Sequence, residues 1–282
     1  MKFNCLIVIS LIFNLLSLNL KGQNVIDSSS ESIYNKLDEY LRSTTRLYLF
    51  NGAALVAKKG TILLNKGYGW KDVATKTLND SNTIFQIGSV TKTFTAAIIL
   101  KLQELKKLSI YDPIIKYIPE YPNGEKITVQ QLLTHTSGIF NIDVDETDTI
   151  AWIPVSKKIM LSYFQNRPLG FEPGTKYSYS NSGYFLLGMI IEKITGHTYE
   201  QVVREFIFDP LQMTHSGFDY IHLKDTLKAT GYGKFDVDNH IAAHLTDSTV
   251  TFAAGDIYST TCDLYKWIQV ITKEQFFSPC WH

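Results

Sequence analysis

The sequence lacks any long run of charge of one sign. Its 27 lysine and arginine side chains balance 27 aspartates and glutamates, and its pI is about 7.0. Proteins that bind nucleic acid or anionic membranes usually carry a basic patch or stripe. The sequence therefore predicts neither nucleic acid nor a membrane surface as a partner.

Cysteine is scarce as well, with three in 282 residues, and one of them, Cys5, lies in the apolar N-terminal segment. Cys262 and Cys280 can form one optional bridge in an oxidising compartment, but two cysteines do not make a disulfide-dependent scaffold. The chain also has no internal repeat and no low-complexity linker, while 45% of its residues are hydrophobic. It is predicted to be globular, with ample material for a core.

The N-terminus resembles a secretory signal. One lysine is followed by an apolar region from Phe3 to Leu20, which is interrupted by polar residues, among them Ser10, Asn14, Ser17 and Asn19. The alternative is a membrane anchor, but the interruptions leave only short apolar runs, which argue against a stable span. We expect cleavage near Gly22, a mature domain over residues 23–282, and export to the periplasm or the medium.

The remaining sequence predicts a helix, a hairpin, a long helical middle and one late helix. SESIYNKLDEYLRS has helical spacing, and LFNGAALVAKKGTILLNKGYGW is typical of two strands that join at Lys59 and Gly60. Gly196 is predicted to end a helix. Capping boxes are predicted at three threonines with a partner three residues later: Thr128 with Gln131, Thr198 with Gln201, and Thr260 with Asp263.

The stretch GSVTK at residues 88–92 lies at the start of an apolar helix. Ser89 and Lys92 are three residues apart, so a helix that begins at or just after Ser89 places both side chains on one face. A nucleophilic serine needs an adjacent base, and a buried lysine with a lowered pKa can serve. The pattern alone is weak, because a capping serine followed by a surface lysine is far more common.

A second stretch, KYSYSNSGYFLLGMIIEKITG, places Tyr179, Ser180 and Asn181 directly before another apolar helix. Tyr179 offers a phenol that can exchange protons, and the Asn181 amide can hold Lys92 and a substrate carbonyl. By itself this segment is typical of an aromatic residue and a cap at a helix start. Together the two stretches favour a catalytic site.

The combination resembles the serine β-lactamase and penicillin-binding-protein family, more narrowly the branch with class C β-lactamases, DD-carboxypeptidases and related esterases. FQIGSVTKTFTAAIILKLQE is similar to the nucleophile helix, ITVQQLLTHTSGI to a characteristic helix and turn, and YSYSNSGYFLLGMIIEKITG to the Y-x-N element. TFAAGDIYSTTCDLYKWI resembles the glycine turn and helix that come late in the domain. The likeness covers residues 30–272. Tyr179 stands where class A enzymes have the serine of S-D-N, so the resemblance is not to class A.

The resemblance implies an α/β fold, with an antiparallel sheet flanked by helices and a largely helical subdomain. It implies catalysis by Ser89, Lys92 and Tyr179, with Asn181 binding substrate. Ser89 would form an acyl-enzyme with an amide, ester or β-lactam carbonyl, while Lys92 and Tyr179 shuttle protons. The sequence leaves open which of the two is the base. The expected protein is a monomer that acts on a β-lactam, a D-alanyl peptide or an ester.

The family's third motif, K-T-G or H-x-G, has no counterpart here. After TTCDLYKWIQVI only TKEQFFSPCWH follows. This motif flanks the nucleophile, and a nearby strand supplies the second oxyanion donor, whose loss typically lowers the rate by a factor of about 10² to 10³. We therefore expect a domain whose C-terminal strands are missing. The alternatives to an enzyme are a catalytically weak protein that binds peptidoglycan peptides or β-lactams, and an inactive truncated chain.

Other polar signals weigh less. His135 in LTHTSG matches a family position with a structural role, and His240 and His244 lack the third ligand that zinc needs. The acidic stretch FNIDVDETDTI lacks the glycine and terminal glutamate of a calcium loop. The sequence predicts no metal site and no cofactor.

Overall fold

The structure is a computed structural model that describes residues 28–143, 151–273 and 276. The predicted signal segment with Cys5, most of the acidic stretch, and Cys280 lie outside the described residues. The predictions made for them remain predictions.

The predicted helix, hairpin, helical middle and late helix are present in that order, but six further short strands were not predicted. The helices are α1 (Ser28–Arg46), α2 (Thr91–Glu104), α3 (Val129–Leu133), α4 (Lys157–Ser162), α5 (Asn181–Thr195), α6 (Tyr199–Val203), α7 (Ser248–Gly255) and α8 (Thr261–Thr272). The strands are β1 (Gly52–Lys58), β2 (Thr61–Tyr68), β3 (Trp70–Asp72), β4 (Thr77–Leu78), β5 (Phe85–Gln86), β6 (Tyr232–Phe235), β7 (His240–Ala242) and β8 (Tyr258–Ser259). Short 3₁₀ turns occupy Gly88–Val90 and Ile114–Lys116, and a π-helical turn, Arg204–Phe208, follows α6.

The predicted hairpin is formed by β1 and β2, which pair antiparallel from Gly52 opposite Tyr68 to Lys58 opposite Thr61. Lys59 and Gly60, with φ of 50° and 85°, form the turn. Positive φ at both central residues suits a two-residue hairpin, because the turn then matches the strands' right-handed twist. In the described part of the chain β1 pairs with β2 alone, and helices α1 and α8 pack against the hairpin.

Three more antiparallel pairs complete the described strands: β3 with β4, β5 with β8, and β6 with β7. The pairing of β5 with β8 matters most for the site. It sets Phe85 opposite Ser259 and Gln86 opposite Tyr258. The segment that leads into GSVTK is thereby fixed beside the segment that follows α7.

The core lies among the helices. Helix α5 is apolar on nearly every face, and Leu186, Leu187, Ile190 and Ile191 are fully buried, as expected for a helix that neighbours surround. It packs against α2, α3, α6 and α7. On α8, Trp267 stacks on Phe94 of α2, with ring centroids 4.7 Å apart. Helices α2 and α5, which lead away from the two candidate motifs, are therefore held rigidly side by side.

Most predicted helix ends are confirmed. Thr128 with Gln131 and Thr198 with Gln201 form complete capping boxes, and Gly196 ends α5 with φ of 74°. Of the third predicted capping box, at Thr260 and Asp263, one hydrogen bond forms and the reciprocal one does not. Thr260 does accept a hydrogen bond from the Asp263 N–H.

The Asp263 carboxylate, however, accepts hydrogen bonds from the His215 N–H, the Ser216 hydroxyl and Lys266. It is 1% exposed. A buried carboxylate needs several donors to offset desolvation, and these tertiary partners supply them in place of the cap N–H.

Candidate active site

Ser89 lies in the 3₁₀ turn immediately before α2, two residues ahead of the first α-helical residue, Thr91. Gly88 precedes it with φ of 51°, a conformation that glycine adopts without strain. The side chain of Ser89 is exposed, and the helix start favours negative charge that develops close to it. Because the 3₁₀ turn leads directly into α2, Ser89 and Lys92 share one face as predicted.

Lys92 is buried beside Ser89, with 7% of its surface exposed. Its Nζ donates hydrogen bonds to Ser89 Oγ at 3.1 Å, to Asn181 Oδ1 at 2.9 Å and to the carbonyl oxygen of Ala254 at 2.7 Å. None of these partners carries a negative charge. Burial therefore dominates, and it lowers the pKa of Lys92 to about 8.

Tyr179 and Asn181 approach from the start of α5. The Tyr179 Oη donates to Ser89 Oγ at 2.7 Å, and its ring lies 4.8 Å from Lys92 Nζ. The helix is capped by Ser180, which accepts from the Gly183 N–H. The four residues singled out from the sequence, Ser89, Lys92, Tyr179 and Asn181, thus form one connected hydrogen-bonded group.

His135 supports this group from behind. Its ring stacks on that of Tyr179 at 4.6 Å, and its Nδ1 accepts from the Ser180 N–H at 3.1 Å. Burial, together with the charge of Lys92, lowers the pKa of His135. A neutral imidazole is the form that can accept this hydrogen bond. The contacts are those of a residue that positions Tyr179, which agrees with the structural role predicted for it.

Two features of the site were missed from the sequence. The carbonyl of Ala254 accepts from Lys92, and Asn141 Oδ1 accepts from the Asn181 N–H. Ala254 owes its position to an interruption of α7 at Phe252, which has φ of 37° and ψ of −133°. No sequence pattern specifies such a backbone conformation, so a carbonyl contact of this kind could not be predicted.

A cavity of about 260 Å³ opens beside Ser89. Asn181 and Ser182 of α5 line one side, and Ala254 and Gly255 of α7 line another. Its inner wall consists of four apolar side chains that are 9% exposed or less, namely Ile142, Met160, Phe185 and Val250. A substrate carbonyl at Ser89 would therefore have a largely apolar pocket next to it.

The histidines considered as metal ligands do not come together. His240 lies in β7, whereas His244 stacks on Trp152 with ring centroids 4.6 Å apart. In the ranges that the structure describes, no group of three or more His, Cys, Asp or Glu side chains is arranged to hold a metal ion. None of the helices described there has the length and apolarity that a bilayer crossing requires.

Comparison with known proteins agrees with these motifs. A family model described as Beta-lactamase matches residues 45–278. The chain is 35% identical over 243 residues to PbpX of Bacillus subtilis (strain 168), named as a penicillin-binding protein, an alignment that covers 86% of this chain and 59% of PbpX. It is 30% identical over 258 residues to a teichoic acid D-alanine hydrolase of Staphylococcus aureus, covering 89% of this chain and 61% of that protein.

The crystal structure of FmtA from Staphylococcus aureus has the same fold, with a TM-score of 0.74 at 28% identity, over 89% of this chain and 67% of that one. The chain spans about three fifths of the length of the curated relatives that it matches. The family model covers most of the chain and includes both motifs of the site. The chain belongs to the beta-lactamase family, the group of serine β-lactamases and penicillin-binding proteins, and has the fold of that family.

Proposed function

We propose that this protein is an exported serine hydrolase that forms an acyl-enzyme at Ser89 with amide, ester or β-lactam carbonyls. One observation carries the proposal. Ser89 Oγ lies within hydrogen-bond distance of two proton carriers at once, Tyr179 Oη at 2.7 Å and Lys92 Nζ at 3.1 Å. A serine hydroxyl becomes an effective nucleophile only when an adjacent base takes its proton during attack.

The reaction begins when Ser89 Oγ bonds to the substrate carbonyl carbon and its proton passes to the Lys92–Tyr179 pair. The tetrahedral intermediate then collapses, the bond to the leaving nitrogen or oxygen breaks, and the pair returns the proton to that atom. Water attacks the acyl-enzyme in the same way, giving up a proton to the pair, and the acid leaves as Ser89 Oγ is protonated again. Proton transfer of this kind contributes a factor of about 10² to 10⁴.

Asn181 has two roles in this proposal. Its Oδ1 accepts a hydrogen bond from Lys92 and fixes that amine. Its Nδ2 donates to the Ile142 carbonyl at 3.2 Å, and a substrate carbonyl can take the place of that acceptor. Lys92 is the better candidate for the base, because a pKa of about 8 leaves part of it neutral near physiological pH.

The proposal includes three classes of substrate and does not choose between them. One relative is named teichoic acid D-alanine hydrolase and another is named as a penicillin-binding protein. β-Lactams, D-alanyl peptides and esters are therefore the compounds to assay. The alternative, a weak relative that captures such compounds without turnover, differs from the enzyme only after the acyl-enzyme has formed.

Acylation and turnover are therefore measured separately. The full chain is mixed with a chromogenic cephalosporin, a D-alanyl-D-alanine peptide and a chromogenic ester, while stopped-flow absorbance and intact-protein mass follow the burst and the steady state. The proposal expects a burst and continued turnover with at least one compound, both lost in Ser89→Ala. A burst without turnover identifies the binding protein, and product formation that survives in Ser89→Ala overturns the assignment.

Export is proposed from the N-terminal segment alone. N-terminal sequencing of protein recovered outside the cytoplasm should give a start near Gln23. A soluble cytoplasmic product that retains Met1 would refute it.

A further inference from the structure

The cavity beside Ser89 has a chemical character that the proposed mechanism does not use. Its inner wall is formed by Ile142, Met160, Phe185 and Val250, which come from α4, α5, α7 and the loop that follows α3. The other side chains that line it in the described ranges are neutral, among them Gln86, Thr246 and Thr251. Within these ranges no charged side chain lines the cavity.

Such a lining discriminates between ligands by charge. Transfer of an ionised group into an apolar site without a partner is strongly unfavourable, whereas each CH₂ of an alkyl group that is buried there favours binding. The volume of about 260 Å³ suits a small substituent. The described lining therefore favours an occupant that is compact, neutral and largely apolar.

The geometry also indicates which part of the substrate enters. The leaving group must receive a proton from the Lys92–Tyr179 pair and therefore departs on the side of Tyr179, which is 40% exposed. Neither Lys92 nor Tyr179 lines the cavity, whereas Ser89 and Asn181 do. A carbonyl carbon bonded to Ser89 thus has its leaving group toward solvent and its acyl substituent toward Met160 and Phe185.

We propose that this cavity is the acyl pocket of the enzyme and that it selects acyl donors with a compact, uncharged, apolar side chain over donors whose side chain ends in a charge. The orientation of the substrate, with its acyl group toward the cavity and its leaving group toward solvent, rests on the proposed function. The fit between pocket and ligand can be tested without any reaction.

The first experiment measures binding to the Ser89→Ala protein by calorimetry. Hexanamide and adipamate have chains of the same length, but adipamate ends in a carboxylate. Hexanamide should bind at least about tenfold more tightly, since an unpaired buried charge costs more than 1.4 kcal/mol. Equal affinity for the two amides, tighter binding of adipamate, or binding of neither overturns the pocket.

Two variants locate the binding. Val250→Phe, made in the Ser89→Ala protein, fills the cavity. It should lower the affinity for hexanamide at least about tenfold, because the larger side chain leaves no room for the alkyl chain of the ligand. The matched control Val237→Phe alters a side chain that is 70% exposed, in the turn between β6 and β7, and should change nothing. Thr246→Lys places a cation at the rim and should reverse the preference toward adipamate. A preference that survives both pocket variants contradicts the assignment.

The kinetic counterpart uses p-nitrophenyl hexanoate and mono-p-nitrophenyl adipate, which share one leaving group. The burst rate at Ser89 should be at least about tenfold higher for the hexanoate. Acylation without this preference overturns the pocket and leaves the proposed function standing. If Ser89 is acylated by neither ester, nor by the cephalosporin or the peptide, while the Ser89→Ala protein still prefers hexanamide, the proposed function fails and only the ligand preference of the cavity stands.

Discussion

At the scale of one residue, the proposed chemistry depends on Lys92, whose Nζ lies 3.1 Å from Ser89 Oγ. Its burial and its lowered pKa depend on α5 and α7, which are far away in the chain. Tertiary packing therefore determines the chemistry of the pair that Ser89 and Lys92 form.

In the proposed mechanism, the lowered pKa of Lys92 makes the acylation rate depend on pH. Burial disfavours the charged amine, so with a pKa of about 8 roughly a tenth of Lys92 is neutral at pH 7. The burst rate should rise about tenfold per pH unit below 8 and level off above it. Stopped-flow bursts between pH 5.5 and 9.5 test this, with Lys92→Arg as the control that stays protonated. A flat profile would exclude Lys92 as the base.

Asp256 is a second buried charge close to the site. It is 5% exposed, burial raises its pKa to about 7, and its Oδ1 has no hydrogen-bond partner among the described residues. Because the folded state holds the proton more tightly than the unfolded chain, Asp256 costs no stability below pH 4. Its unfavourable contribution grows as the pH rises from about 4 to about 7 and is constant above that range.

Asp256→Asn should therefore raise the free energy of unfolding at pH 8, by about 1 to 4 kcal/mol, and leave it nearly unchanged at pH 4. Urea unfolding of both proteins at the two pH values measures the difference. Asp236→Asn, at an exposed carboxylate whose pKa is lowered, is the contrasting control and should not stabilise at pH 8. An equal effect of Asp256→Asn at both pH values would contradict the account.

At the scale of elements, α5 and α7 meet where Lys92 receives its carbonyl partner. Phe252 packs between Phe185 and Tyr199, with ring centroids at 5.1 Å and 5.3 Å. A Cβ atom on Gly188 would lie 2.4 Å from the Phe252 ring and 2.5 Å from the Ala253 Cβ. The absence of a side chain at Gly188 thus permits the close approach of α7 that positions Ala254.

Gly188→Ala should destabilise the fold by about 1 to 3 kcal/mol, although alanine is the better helix former, because overpacking outweighs helix propensity. It should also slow the burst at Ser89, since the Ala254 carbonyl would be displaced. Gly183→Ala is the matched control in the same helix, because its Cβ would meet neighbours no closer than 3.6 Å. Melting temperatures and burst rates, measured for both variants, test whether Gly188→Ala has the larger effect. Equal effects from the two would disprove the close-packing argument.

The elements differ in how far the sequence predicted them. Hairpin, helix order, two capping boxes and the stop at Gly196 follow from local turn and cap chemistry, and the structure has all of them. The partners of Asp263 and the Ala254 carbonyl were missed, because both depend on contacts between segments far apart in the sequence. Local signals predicted the hairpin and several helix ends but not the six strands β3 to β8, and long-range contacts complete the site.

At the scale of the whole molecule, the family resemblance predicted a sheet larger than a hairpin. The described strands form four two-stranded pairs, and the hairpin is covered by α1 and α8. A two-stranded hairpin needs such a layer, since it is marginally stable alone. The larger sheet stays an implication of the family resemblance, and the chain spans about three fifths of the length of the curated relatives that it matches.

The central claim is that Ser89 is the nucleophile of the whole protein. It is tested most directly by labelling the full chain with a fluorescent penicillin and, in parallel, with a fluorophosphonate, followed by peptide mass mapping. The account predicts one adduct, on Ser89, that disappears in Ser89→Ala and forms much more slowly in Tyr179→Phe at unchanged melting temperature. An adduct on any other serine, or labelling that persists in Ser89→Ala, would contradict it.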